Sequence, residues 1–152
     1  MRRKDRELSR EAALAVFDAA PFATLSMTDG GRPYAVPVSP AREGMTVYFH
    51  CAPEGRKLGC LRANPAVCLS AVSEAAAAPD KFTMYYASAV AFGEAHEVTD
   101  EAEKLAALRL ICERFTPGNM ADFERAAGAG APRTAVWRVE LSEITGKHKV
   151  RK

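Results

Sequence analysis

The chain has 152 residues, which is enough for one domain with a single hydrophobic core and too few for two ordinary domains. Hydrophobic residues make up 48% and charged residues 26%, a globular composition that argues against disorder and against fibrous repeats. The formal net charge of +2 implies no strong polyanionic partner, and the basic residues gather in residues 1–6 and 147–152, where we expect solvated tails rather than a nucleic-acid surface.

The first predicted elements are a helix and a β-hairpin. Ser9 is expected to cap a helix that Pro21 ends. Strands are predicted over residues 22–28 and 32–39, joined by a D-G-G turn, because glycine tolerates positive φ. Pro37 lacks the N–H that a strand ladder needs, so the second strand is expected to be an edge or bulged strand.

Residues 45–72 combine a strand, a basic turn, a short helix and another strand. Side chains alternate over residues 45–51, with His50 on the polar side, as in a half-buried strand. This strand is expected to complete a three-stranded meander with the hairpin. A turn is predicted at 42–44, before this strand. After it we expect a helix that starts at 55–57 and ends at Asn64, a strand over 66–73, and an alanine-rich loop over 74–80.

The second half of the chain predicts two long strands around helical segments. Gly93 is expected to form a bulge where the first of these strands bends around a barrel corner. Asp100 and Glu103 form a capping box before a helix with apolar residues at Leu105, Leu108, Cys112 and Phe115. The predicted bounds are a strand over 85–98, a weak helix over 119–127, a loop over 128–132 and a strand over 134–143. Six or seven strands without βαβ alternation predict a mainly β (α+β) antiparallel barrel with short flanking helices.

The cysteines and the apolar runs predict a cytoplasmic location. Cys51, Cys60, Cys68 and Cys112 show no C-x-x-C spacing, so we expect reduced thiols and no metal site. No stretch approaches the ~20 apolar residues of a membrane helix, and Asp18 interrupts the apolar run near the start, which argues against a signal peptide and a membrane partner.

The sequence contains no G-x-G-x-x-G, P-loop or nucleophile-elbow motif, so chemistry must come from a bound group. Arg56 and Lys57 stand at a predicted helix start, where free N–H groups and the helix dipole favour an anion such as a phosphate. The alternative is that both residues belong to a solvated basic face. The residues alone leave both interpretations open.

Four segments together resemble a known family. They are RRKDRE at 2–7, PYAVPV at 33–38, YFHCAPEGRKLGCLRANPAVC at 48–68 and ITGK at 144–147. In order and spacing they resemble the 5-nitroimidazole reductases, flavoproteins within the pyridoxamine 5'-phosphate oxidase-like group of FMN-binding split barrels. Where that family commonly has a YRS strand, this chain has Ala87 at the arginine position, next to Ser88.

The resemblance implies one FMN-binding split-barrel domain over residues 1–152 and a homodimer with the flavin at its interface. It implies reduction of a nitro group, with His50 beside the flavin as the catalytic residue and Arg56 and Lys57 on the phosphate. The isoalloxazine ring would lie along Val36, Pro37, Val38 and Ser39, and Ser88, with Tyr85 and Tyr86, would reach the cofactor from the second subunit.

Several alternatives stay open at this level. His50 is also explained as a strand-end histidine bonded to a loop carbonyl. His96 is expected on a solvated face, His148 in the basic tail, and Trp137 in the core or a dimer interface. The chain is also compatible with a flavin-binding protein without catalysis, or with a barrel that binds haem through His50 or a deazaflavin.

Overall fold

The computed structural model describes residues 2–150. Its strands are β1 (Glu7–Leu8), β2 (Ala23–Asp29), β3 (Arg32–Val38), β4 (Ala41–Glu43), β5 (Thr46–Cys51), β6 (Ala66–Ala78), β7 (Thr83–Glu97) and β8 (Ala135–Lys149). Its helices are α1 (Arg10–Ala19), α2 (Arg56–Ala63), α3 (Glu101–Phe115) and α4 (Phe123–Gly130), with 3-10 turns at Lys4–Arg6, Pro117–Asp122 and Ala131–Arg133.

The eight strands form one antiparallel sheet that curls into a split barrel, in the order β3-β2-β6-β7-β8-β5-β4 with β1 on β8. The predicted mainly β split-barrel class is confirmed. The predicted meander is wrong, because β3 and β5 lie toward opposite ends of the strand order. Pro33 and Pro37 cannot donate to a further strand, which keeps β3 at an edge, and the short strand β4 pairs with β5 instead.

The core fills the barrel from the inner faces of the strands and from α1. Phe17 of α1 packs there with Phe49, Leu69 and Trp137, each at most 2% exposed, so the core interpretation of Trp137 is confirmed. The bulge predicted at Gly93 is confirmed too, since the register of β7 on β8 shifts between Phe92 and Gly93.

The helix caps agree with the sequence. The Ser9 hydroxyl accepts a hydrogen bond from the Ala12 amide at 3.2 Å, and the Asp100 carboxylate accepts one from the Glu103 amide at 2.8 Å. The predicted apolar face of α3 is only partly correct. Ala107 and Ile111 are its buried residues, whereas Leu105 is 38% exposed. The helix therefore packs on the sheet through the face that carries Ala107 and Ile111.

Long-range pairing extends several strands past their predicted ends. Residues 74–78 continue β6 rather than forming a loop, because they pair with residues 83–87 of β7 across a bulge. This cross-strand pairing overrides the low strand propensity of alanine. Residues 42–43, predicted as part of a turn at 42–44, belong to β4 (Ala41–Glu43), which forms through pairing with β5.

The two chain ends also differ from the predicted solvated tails. β8 runs on to Lys149, and Lys147 to Lys149 pair with residues 86–88 of β7. Glu7 and Leu8 pair with Lys147 and Gly146, which anchors the start of the chain to the same strand. Met1, Arg151 and Lys152 of the predicted tails lie outside the described residues. The loop predicted over 128–132 is helical, as α4 extends to Gly130 and a 3-10 turn follows.

Candidate functional site

The site begins at the first turn of α2. Gly55 is the N-cap, with φ of 127°, and no side chain of the described residues caps the helix. Arg56 and Lys57 occupy the first turn, which contains no acidic residue. Backbone N–H groups at a helix start have no partner within the helix, so this end combines free donors, the positive end of the dipole and two cations. It suits an anion.

The two cations diverge toward different strands. The Arg56 guanidinium lies 4.5 Å from the ring centroid of Tyr34 in β3. The Lys57 Nζ lies 5.4 Å from the ring centroid of Phe49 in β5. Since β3 and β5 are not paired, the first turn of α2 spans the gap between them, which is where the barrel is split.

Asp29 at the end of β2 holds the Arg56 side chain. Its Oδ2 accepts hydrogen bonds from Nε at 2.8 Å and from Nη2 at 2.5 Å. These bonds and the charge of Arg56 lower the pKa of Asp29. A guanidinium has five N–H donors, so the pairing with Asp29 fixes Arg56 and leaves donors for a further anion.

His50 lies at a free edge of the sheet. β4 covers only Thr46 to Tyr48 of β5, so the end of β5 that carries His50 has β8 on one side and no β4 partner on the other. The side chain is exposed at its edge. Protein atoms around the ring, and then the charge of Lys57, lower the pKa of His50, so the imidazole is neutral at pH 7.

The residues predicted along the isoalloxazine ring alternate between core and surface. Val38 is 7% exposed and belongs to the core, and the half-buried Val36 packs against that core. Strand side chains alternate, and these two point toward the core of this chain, so a contact of Val36 and Val38 with the ring stays a prediction. Pro37 and Ser39 are exposed on the other side.

Ser88 lies away from the other predicted residues of the same chain. It is opposite Val72, beyond the end of β2 that is remote from Asp29. The length of β2 therefore separates it from Arg56 by about 20 Å at ~3.3 Å per residue. Its hydroxyl donates to the Lys147 carbonyl at 3.4 Å. The structure brings together His50, Arg56, Lys57 and β3, and leaves Ser88 out.

The sequence profile described as pyridoxamine 5'-phosphate oxidase matches residues 9–148. The chain belongs to the pyridoxamine 5'-phosphate oxidase-like family. No curated protein sequence matches it significantly.

Solved structures of similar fold carry several descriptions. A candidate 5-nitroimidazole antibiotic resistance protein from Bacteroides thetaiotaomicron is 25% identical, with a TM-score of 0.78 over 93% of this chain and 85% of that one. A flavocytochrome from Azotobacter vinelandii is 26% identical, with a TM-score of 0.77 over 94% and 68%. A FAD and heme binding protein from Mycobacterium smegmatis shares the fold, with 22% identity and a TM-score of 0.81 over 96% and 74%.

The other two histidines lie within strands of the sheet. His96 is half-buried on β7, with Nε2 3.8 Å from a Glu94 oxygen, and His148 is opposite Ala87 in β8 rather than in a tail. Within residues 2–150, no three His, Cys, Asp or Glu residues lie together as metal ligands would. None of the described helices is long and apolar enough to cross a membrane.

Sequence reasoning missed the residues that position Arg56. Asp29 was read as a turn residue and Tyr34 only as part of a strand, although both contact the guanidinium. Asp29 is 27 residues from Arg56 in the sequence, the hairpin brings both contact residues to α2, and no local pattern encodes these contacts. The period-2 alternation of β3 is the one signal that could have indicated that Tyr34 lies on the same face as Val36.

Proposed function

We propose that this protein is an FMN-dependent oxidoreductase that reduces a nitro group or a similar small electrophile, like the 5-nitroimidazole reductases it resembles. The observation that carries the proposal is the first turn of α2, which offers an uncapped helix start and two cations at the split of a family barrel. Family membership and the likeness to the Bacteroides protein support it.

The residues present fit a flavin phosphate. Gly55 has no side chain over the helix start, and an added Cβ there would meet no described atom within 4 Å. Lys57 supplies a point charge, and Arg56 supplies planar donors that Asp29 and Tyr34 hold in place. We assign the phosphate of FMN to these two side chains and to the N–H groups of the first turn.

The ring of the flavin is assigned to the open edge of β3. Backbone groups of Val36 to Val38 on the side away from β2 have no strand partner in the described sheet, and Ser39 adds an exposed hydroxyl. Pro37 has no N–H, so this edge offers carbonyl oxygens as acceptors, and the Ser39 hydroxyl supplies a donor for the polar edge of a flavin. When bound, the flavin supplies the electron or hydride steps, while the protein supplies binding, orientation and electrostatics.

His50 is proposed as the catalytic residue beside the flavin. A neutral imidazole carries one N–H donor and one acceptor nitrogen, and can hold or move a proton near neutral pH. Desolvation by the surrounding protein atoms, and then the charge of Lys57, lower the pKa of this ring and favour its neutral form. We propose that His50 donates a hydrogen bond to an oxygen of the electrophile.

We further propose a homodimer, in which Ser88, Tyr85 and Tyr86 meet the flavin of the second subunit. The outer face of β6 and β7 supports this, because Val72 and Phe92 are 45% and 46% exposed there. Phe22, next to the β2 residue that pairs with Ala71, is 52% exposed. Apolar surface of this kind commonly marks a protein interface. Together with the cytoplasmic location, the dimer stays a prediction.

A haem protein is the second candidate, favoured by the flavocytochrome and the FAD and heme binding protein among the similar structures. His50 is an exposed imidazole at a sheet edge and suits an axial ligand. A protein that binds flavin without turnover has the same residues, and a deazaflavin would occupy the same gap.

Anaerobic mixing separates an enzyme from a binding protein. The purified protein is loaded with FMN, reduced with NADPH and then mixed with 1,2-dimethyl-5-nitroimidazole. Bleaching of the flavin followed by its return with the nitro compound supports the reductase. A flavin that is never reoxidised by the nitro compound contradicts nitroreduction. A matched His50→Gln variant should bind FMN as tightly as the natural protein and reoxidise more slowly.

A further inference from the structure

A cavity of 190 Å³ lies between α3, α4 and the end of β5. Apolar side chains form most of its wall. Its polar lining residues are His50, Cys112 and Thr134, and its apolar ones include Leu108, Ile111 and Phe123. Among the described residues that line it, His50 is the one basic group. We call it the α3–α4 cavity.

The walls of the α3–α4 cavity are held in place on both sides. At the start of α3, Glu103 accepts hydrogen bonds from the Tyr48 hydroxyl at 3.2 Å and from Arg138 at 3.0 Å, which fixes the helix on the sheet. On the other side, the guanidinium of Arg109 in α3 lies 4.3 Å from the ring centroid of Phe123 in α4. The opening therefore comes from the small side chains of α4 rather than from a loose helix.

The size and polarity of the cavity limit what fits. Its volume of 190 Å³ is below the ~300–1,000 Å³ of pockets for drug-sized ligands, so it accommodates one small ring. Burying a charge against Leu108, Ile111 and Phe123 without a partner is costly, which excludes strongly ionic ligands. The neutral imidazole of His50 offers a donor to a polar atom at one end of the ring.

We propose that the α3–α4 cavity binds a small uncharged aromatic ring with its polar acceptor directed to His50, and that Ala126 and Ala127 set the size of ring accepted. The inference rests on the proposed function, because His50 lies both at this cavity and beside Lys57 at the assigned flavin site. A ring bound in the cavity presents its acceptor to the imidazole that we assign to catalysis.

Cavity-filling variants test this assignment. Ala127→Phe places a ring inside the cavity, and Ala126→Phe, at an exposed position on its rim, closes the mouth with less risk to folding. Ala129→Phe is the matched control, since Ala129 is exposed on the same helix and does not line the cavity. Binding of 1,2-dimethyl-5-nitroimidazole is measured on the full chain by ligand-observed NMR, and its KM in the FMN-loaded protein.

We expect both cavity variants to raise the Kd and KM for this probe by about tenfold or more, with FMN affinity unchanged. Ala129→Phe should stay within about twofold of the natural protein. The charged 4-nitrobenzoate should bind more weakly than the neutral probe. Kd and KM values in Ala126→Phe within about twofold of the natural protein would overturn the inference while leaving the flavin assignment intact. If the natural protein took up no FMN, the proposed function would fail, and probe binding to the apoprotein would still decide whether the cavity is a site.

Discussion

Replacing Gly93 by alanine should destabilise the barrel at its bulge. A Cβ at this position would lie 2.3 Å from the Glu140 carbonyl oxygen and 2.9 Å from its carbonyl carbon. Both atoms are backbone, and Glu140 is paired with Glu94 of β7 and with Thr46 of β5. β8 is therefore held on both sides and cannot retreat without disturbing two strand ladders.

The size of the effect follows from that geometry. Cβ atoms essentially never approach closer than 3.0 Å, so the contact must open from 2.3 Å to at least 3.0 Å. Overpacking of this kind typically costs ~1–3 kcal/mol. With a urea m-value of about 2 kcal/mol/M, the unfolding midpoint should fall by roughly 0.5–1.5 M.

Urea unfolding followed by Trp137 fluorescence measures this shift. The matched control is Gly128→Ala within α4, where the added Cβ meets no described atom within 4 Å. The free energy of unfolding of Gly128→Ala should rise by ~0.5–1 kcal/mol, because alanine has a higher helix propensity than glycine. If Gly93→Ala unfolded at the same urea concentration as the natural protein, the close approach of β7 to β8 would be wrong.

Three further predictions concern single side chains. The Arg114 guanidinium donates hydrogen bonds to the carbonyl oxygens of Phe17, Asp18, Ala20 and Pro40. Arg114→Met should therefore lower the free energy of unfolding measured in urea by ~2–3 kcal/mol, and Arg114→Lys should recover part of that loss. An unchanged free energy of unfolding in Arg114→Met would refute this role. Because the pKa of His50 is lowered in the native state, the folded protein binds a proton at His50 less readily than the unfolded chain does. The NMR titration midpoint of His50 should therefore lie below ~6.5. The loss of folding stability between pH 7 and pH 5 should be smaller in His50→Gln than in the natural protein. A midpoint above that value would contradict the desolvation of the ring. Val72→Asp should shift sedimentation toward monomer, whereas Leu105→Asp on α3 should not, and a monomeric natural protein would end the dimer proposal.

Local signals predicted the elements whose causes are local. Ser9 and Asp100 cap their helices as expected because a short polar side chain reaches an amide three residues on. A glycine inside a strand is a local signal for a bulge, and it predicted the one at Gly93, although the lack of room for a side chain there comes from β8. The basic first turn of α2 was likewise visible in the sequence.

Apart from the helical residues 128–132, the main failures involve partners distant in the chain. Residues 74–78 look like a loop because alanine has little strand propensity, and they become a strand only through pairing with β7. β3 was expected beside β5, yet the order of strands depends on pairings that no local window contains. The contact of Asp29 with Arg56 and the α3–α4 cavity arise in the same way, from segments that meet only in the folded barrel.

The absorption spectrum of the purified protein, before and after addition of FMN, tests the flavin assignment most directly. It should be compared with Arg56→Ala/Lys57→Ala and with Lys104→Ala/Arg125→Ala, which removes the same charge from α3 and α4. We expect flavin bands in the natural protein and the control that disappear in the first double variant. A natural protein that takes up no flavin would contradict the proposal, and a Soret band in its place would assign the barrel to haem.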